Sequence, residues 1–182
     1  MVVGEVVVSY LGRVRDKQGR RGGAVVQDHW TKWIILVTVY LAAASAVVIA
    51  RSGPGLRDFA DNWWTLGLGV GVLLAGAALR DWSILTLGRY FRREVTIEPG
   101  QRLVRRGPYR LLRHPSYTGL LLAFGGFGLA LGSWVGAAVA LLIVFVGMLP
   151  RIRVEERALA QAFGADYADY ANSTARMLPY VW

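Results

Sequence analysis

Residues 113–151 read RHPSYTGLLLAFGGFGLALGSWVGAAVALLIVFVGMLPR, and the 37 residues between the bounding arginines carry no formal charge. A single helix of this length would overshoot a hydrocarbon core of ~30 Å at ~1.5 Å per residue. The soft break at Gly132-Ser133 resolves the conflict. It divides the stretch into a tight hairpin of two short spans, about 117–131 and 134–149, with Pro115 well placed as the first residue of the first helix.

Two further apolar runs lie upstream: WIILVTVYLAAASAVVIA at 33–50 and WWTLGLGVGVLLAGAAL from Trp63 to Leu79. Both reach membrane-spanning length. The second continues as helix past Arg80-Asp81 to about residue 87, because Trp82, Leu85 and the Gly88–Tyr90 region keep helical spacing. The expected fold is therefore an all-α integral membrane protein of about four transmembrane helices (33–50, 63–87, 117–131, 134–149). An N-terminal arm (1–32) precedes the membrane domain (33–182). Trp30, Trp33, Trp63, Trp64 and Trp134 fall at span ends, where interfacial aromatics concentrate. Glycine pairs spaced by four, Gly67/Gly71, Gly128/Gly132 and Gly132/Gly136, read as helix-packing faces or as room for a ligand chain. They serve a monomer's interior and an oligomer equally well.

The chain of 182 residues is 54% hydrophobic yet has a formal charge of +9, and the excess has an address. Lys+Arg number six in residues 1–32, two in 51–62, nine in 80–116, none at the hairpin tip and four in 151–182. The positive-inside rule then puts both termini and the connection 88–116 in the cytoplasm. The Ala/Gly/Arg-rich composition and compact size point to a prokaryotic plasma membrane. There is no Cys, which excludes thiol nucleophiles, disulfides and Cys-ligated metals, and only two His, which argues against a histidine metal site.

Within the connection, Val95/Ile97 alternation, Pro99-Gly100 and Leu103-Val104 read as a short hairpin-like loop. RRGPYRLLRHPSYTG (105–119) follows, with two helix-breaking signals, several polar donors and two aromatics packed against a membrane surface. Such irregular backbone is tolerated there where it is covered or lines a cavity. In the tail (150–182), Val154, Ala158, Leu159, Ala162 and Phe163 share one face of an amphipathic helix. Arg151 and Glu155, four apart, share another. That face can lean back over residues 107–119.

LVRRGPYRLLRHPSYTG (103–119), a short membrane hairpin, EERALAQAFGADYADY (155–170) and a closing Arg176…Pro179 resemble the isoprenylcysteine carboxyl methyltransferase family. Its G-x-Y-x-x-x-R-H-P-x-Y-x-G and E-E…F-G-x-x-Y-x-x-Y patterns recur here at similar spacing. The resemblance covers residues 94–179 and implies an S-adenosylmethionine site formed by Gln101, Arg102, Leu103, Val104, Tyr109, His114, Pro115, Ser116, Tyr117 and Glu155. Arg151 would orient the carboxylate of an isoprenylcysteine-like or other lipophilic acceptor. Two positions depart from the eukaryotic pattern: Glu94 stands in place of a Gln, and Gln101 in place of the usual His.

Methyl transfer from a sulfonium to a carboxylate needs no metal, base or covalent intermediate, because the nucleophile is already ionised; alignment and water exclusion suffice. Two other readings stay open. One is N-methylation of a phospholipid amine, for which related enzymes share a looser form of the first pattern. The other is a non-catalytic adaptor whose basic loop binds anionic lipid. A nucleic-acid partner is not expected, because the arginines lie between spans rather than on a recognition module.

Overall fold

The computed structural model describes residues 25–28, 30–52, 63–91, 95–97 and 102–178. In chain order these form β1 (Val25–Asp28), α1 (Thr31–Arg51), α2 (Trp63–Leu87), β2 (Val95–Ile97), α3 (Pro115–Ala130), α4 (Trp134–Phe163) and α5 (Ala165–Ser173), with 3-10 turns at Gly88–Tyr90 and Gly107–Arg110. Helices dominate. The strands make one antiparallel ladder, pairing Val25 with Ile97 and Val26 with Thr96, with a bulge before Asp28 meets Val95. This corrects the expected hairpin-like loop: Val95–Ile97 pairs with a segment from before the first helix, and Leu103-Val104 takes no part. A three-residue strand accepts whichever edge the packing brings to it.

Helices α1, α2 and α4 are long and apolar enough to cross a membrane. Helix α3 has 16 residues, about 24 Å of rise, and occupies the centre of the bundle. Ten of its residues are buried, Leu120, Ala123 and Phe124 among them. The hairpin turn falls at Gly132-Ser133. Gly132 adopts φ +75°, a backbone state that favours glycine, and the Ser133 hydroxyl caps α4 by accepting from the Gly136 amide at 3.0 Å. Helix α4 does not stop at Leu149. It continues through Pro150 to Phe163, giving up only the backbone bond that a proline nitrogen cannot donate.

Glycine positions set the helix spacing, though not the α2 pair singled out by four-residue spacing. Gly67 and Gly71 face open space. The contact glycines of α2 are Gly69 and Gly76, which lie against Gly126 and Gly119 of antiparallel α3; a Cβ on Gly126 would sit 2.6 Å from the Gly69 carbonyl oxygen, and one on Gly119 2.6 Å from that of Gly76. Seven-residue spacing keeps these positions on one face over two turns. On the other side, Gly128 meets Ala137, and Gly147 and Gly136 of α4 meet Thr38 and Ala46 of α1. Ala42, Ala46, Leu120, Phe124, Ala140, Val144, Met148, Ile152 and Met177 form the buried core. The five tryptophans at helix ends are all exposed.

Candidate active site

At the end of the bundle where α2 finishes and α3 begins, the chain 102–114 wraps against the charged extension of α4. Gly107 takes φ +57°, with Thr86 and Trp82 of α2 close beside its α-carbon, so the Gly-Pro signal in the sequence is a turn seated on α2. Tyr170 of α5 pins it from the other side: its hydroxyl donates to the carbonyls of Tyr109 at 2.9 Å and Leu112 at 3.3 Å. Gly164 at φ +51° makes the corner that sends α5 back under the turn. The F-G-x-x-Y-x-x-Y spacing is therefore a corner followed by two inward tyrosines, Tyr167 and Tyr170, both buried.

A C-terminal strap completes the support. The amides of Arg113 and His114 donate to Ala175 and Arg176 carbonyls at 2.8 and 2.9 Å, and Ala175 N–H returns to Leu111 at 3.1 Å. Thr118 Oγ1 donates to the Met177 carbonyl at 2.7 Å. The segment carrying His114 is thus fixed by backbone bonds and leaves its side chain directed at α4.

There Glu155 is the hub. Its Oε1 accepts from the Tyr117 hydroxyl at 2.6 Å and from Arg151 Nε at 2.8 Å, while its Oε2 lies 3.4 Å from His114 Nδ1. The next residue, Glu156, takes the other side of the imidazole, with Oε1 3.5 Å from His114 Nε2. Glu156 is itself gripped by Arg176 Nε at 3.0 Å and faces Arg113 Nη1 at 3.5 Å. The imidazole stacks on Tyr117 with ring centres 5.6 Å apart. Burial of His114 works against its charged form, yet the hydrogen bond with Glu155 and then Glu156 prevail and hold its pKa above the ordinary histidine value. Burial pushes the Tyr109 phenol far up, with Glu155 adding to the effect, so Tyr109 is a neutral donor.

Of the residues expected at the site, His114, Tyr117, Arg151 and Glu155 meet directly. Pro115 and Ser116 are buried at the start of α3, and Tyr109 is buried in the turn. Leu103 and Val104 are half-buried in extended chain and make no hydrogen bond among the described residues, while Arg102 is exposed beside them. Gln101 and Glu94 lie outside the described residues. Sequence reasoning missed Arg80, Glu156 and Thr31. Arg80 Nη1 donates to Ser116 Oγ at 3.1 Å and the Ser116 carbonyl at 3.4 Å; the charged pair Arg80-Asp81 within an apolar helix was its available signal. Glu156 is the second glutamate of the E-E pattern, which was its available signal.

Residues 68–161 match the model of the isoprenylcysteine carboxyl methyltransferase (ICMT) family. That match spans half of the chain. The chain belongs to the ICMT family. Among its relatives, protein-S-isoprenylcysteine O-methyltransferase A of Arabidopsis thaliana is 37% identical over 130 residues, 70% of this chain and 64% of that protein. The uncharacterized protein YpbQ of Bacillus subtilis is 24% identical over 88% of this chain and 93% of its own length. The solved structure of the eukaryotic intramembrane Ras methyltransferase ICMT superposes with a TM-score of 0.66 at 26% identity, covering 85% of this chain and 54% of that one. The present chain thus spans under two thirds of the plant relative and about half of the solved enzyme. The ICMT fold accounts for the integral membrane character of the apolar helices.

The residues present fit S-adenosylmethionine. Leu103 and Val104 offer backbone edges that are unpaired among the described residues and suit a flat heteroaromatic base. Among the described residues Glu155 Oε2 has only the longer His114 contact and can take a further ammonium donor. Buried Arg113 Nε has no hydrogen-bond partner among the described residues, an orphaned donor suited to a carboxylate or hydroxyl oxygen.

Proposed function

We propose that the chain is an S-adenosylmethionine-dependent methyltransferase of the membrane, acting on the carboxylate of an isoprenylcysteine-like or other lipophilic acceptor. The observation that carries the reading is the convergence of His114, Tyr117 and Arg151 on the single carboxylate of Glu155. Bound cofactor supplies an electrophilic methyl group. Glu155 would hold its ammonium, and the extended 102–104 segment would face its base. Arg151 would orient the acceptor carboxylate; a guanidinium fork suits a planar carboxylate. An ionised acceptor oxygen would take the methyl group without a proton having to move, so none of these residues need act as a base. The surrounding apolar helices strengthen the attraction between sulfonium and carboxylate by excluding water. The Lys+Arg distribution supports a cytoplasmic site.

Calorimetric titration with S-adenosylhomocysteine tests the cofactor half. Binding is expected for the wild type and is lost in Glu155→Ala and His114→Ala. Undetectable binding, or affinity indifferent to both substitutions, overturns the reading. Labelled-methyl transfer to N-acetyl-S-farnesylcysteine tests the acceptor half.

A further inference from the structure

Arg151 is held on two sides. On its own helix, Nε donates to Glu155 at 2.8 Å. Across the bundle, Nη1 donates to Thr31 Oγ1 at 3.2 Å. Thr31 is the first residue of α1 and is fully buried. A guanidinium has five N–H donors. Among the described residues, Glu155 takes the one on Nε and Thr31 one on Nη1, so Nη1 and Nη2 can still present a donor each. One from each terminal nitrogen makes the end-on fork that grips a carboxylate.

We propose that Thr31 is a positioning residue for the acceptor: its hydroxyl fixes the rotation of the Arg151 guanidinium so that the end-on fork faces the acceptor carboxylate. The clause on the acceptor rests on the methyltransferase reading given above; the Thr31–Arg151 contact does not. Without Thr31 the head group is held only on its Glu155 and Tyr117 side and is freer to rotate. The second anchor, on a different helix, removes that freedom. The approach of α1 makes the anchor possible. Gly147 admits Thr38 and Gly136 admits Ala46, so the same antiparallel contact that begins near the hairpin turn ends with Thr31 beside Arg151. Positioning of this kind acts on how firmly the acceptor carboxylate is held, in the ground state and the transition state alike, so its loss appears in KM.

Thr31→Val keeps shape and removes the hydroxyl; Thr31→Ser keeps the hydroxyl. For transfer to N-acetyl-S-farnesylcysteine, Thr31→Val is expected to raise the acceptor KM about tenfold, as for the loss of one hydrogen bond to a charged group. S-adenosylhomocysteine affinity and kcat should stay within about twofold, and Thr31→Ser should restore KM. An unchanged KM, a parallel loss of cofactor affinity, or failure of Ser to restore KM overturns the proposal.

A second measurement does not depend on turnover. In protein labelled with 15N-arginine, the Arg151 guanidinium should give slowly rotating Nη signals that Thr31→Val averages and Thr31→Ser preserves. Signals indifferent to Thr31→Val also overturn it. If the wild type binds S-adenosylhomocysteine but does not methylate the probe, the carboxylate-acceptor reading fails, and with it the stated role of the fork. The arginine signals then report separately whether Thr31 restrains the guanidinium.

Discussion

Before Pro150, α4 buries Gly136, Ala137, Ala140, Val144 and Met148; beyond it, Arg151, Ile152 and Ala158 are buried and Glu155 reaches His114 and Tyr117. One unbroken helix thus carries two kinds of contact. The first half is held by shape: small residues admit α1 and α3 to backbone distance, and dispersion rewards closeness without regard to direction. The second half is held by directional bonds between charges, which are strong only at the right length and angle. The apolar half sets where the polar half sits, because the helix transmits its position along a rigid axis.

The largest effect should come from the polar half. Arg151→Ala leaves Glu155 with His114 as its remaining cation among the described residues and removes the group proposed to orient the acceptor. Transfer to N-acetyl-S-farnesylcysteine is expected to fall at least about 10²-fold. Steady-state kinetics would settle it, and transfer that survives unchanged would separate Arg151 from acceptor recognition. If a phospholipid amine is methylated equally well by wild type and variant, the amine reading gains.

In the apolar half, Gly126→Ala forces a methyl group against the Gly69 carbonyl and the α2 backbone. Overpacking of this kind costs roughly 1–3 kcal/mol, and thermal unfolding in detergent should show a clear fall in midpoint. An unaltered midpoint would mean that the α2–α3 contact is looser than the glycines imply.

A smaller effect joins site to pH. The pKa of His114 is raised in the folded chain, so its ion pairs contribute fully below the ordinary histidine value and are lost as pH rises through the raised one. The stability difference between wild type and Glu156→Gln should therefore shrink toward alkaline pH. A difference that grew with pH would contradict a protonated imidazole. The smallest effect is expected for Gly67→Ala, whose new methyl group meets nothing within 4 Å; the midpoint should move by less than ~0.5 kcal/mol equivalent. A large fall would point to a partner on that face.

Local patterns were legible where they act locally. Arg151 and Glu155 could be placed on one face because helical geometry brings i and i+4 together whatever surrounds them. Pro115 and Gly132-Ser133 marked helix ends for the same reason. Gly67/Gly71 misled, since spacing tells which residues share a face and not which face meets a neighbour. Gly69 and Gly76 became recognisable only opposite Gly126 and Gly119. Val95–Ile97 read as extended chain, but its partner, Val25–Asp28, lies beyond two helices.

By itself the sequence determined the apolar helices, the hairpin, the charge asymmetry and the motif that marks the ICMT family, because each depends on residue type and short spacing. The tertiary structure decided that Glu155 and Glu156 flank one imidazole, that a C-terminal strap fixes the segment carrying it, and that Thr31 meets Arg151. These are contacts between residues as much as 120 positions apart. No local propensity encodes them; they follow from how closely glycine lets the helices approach.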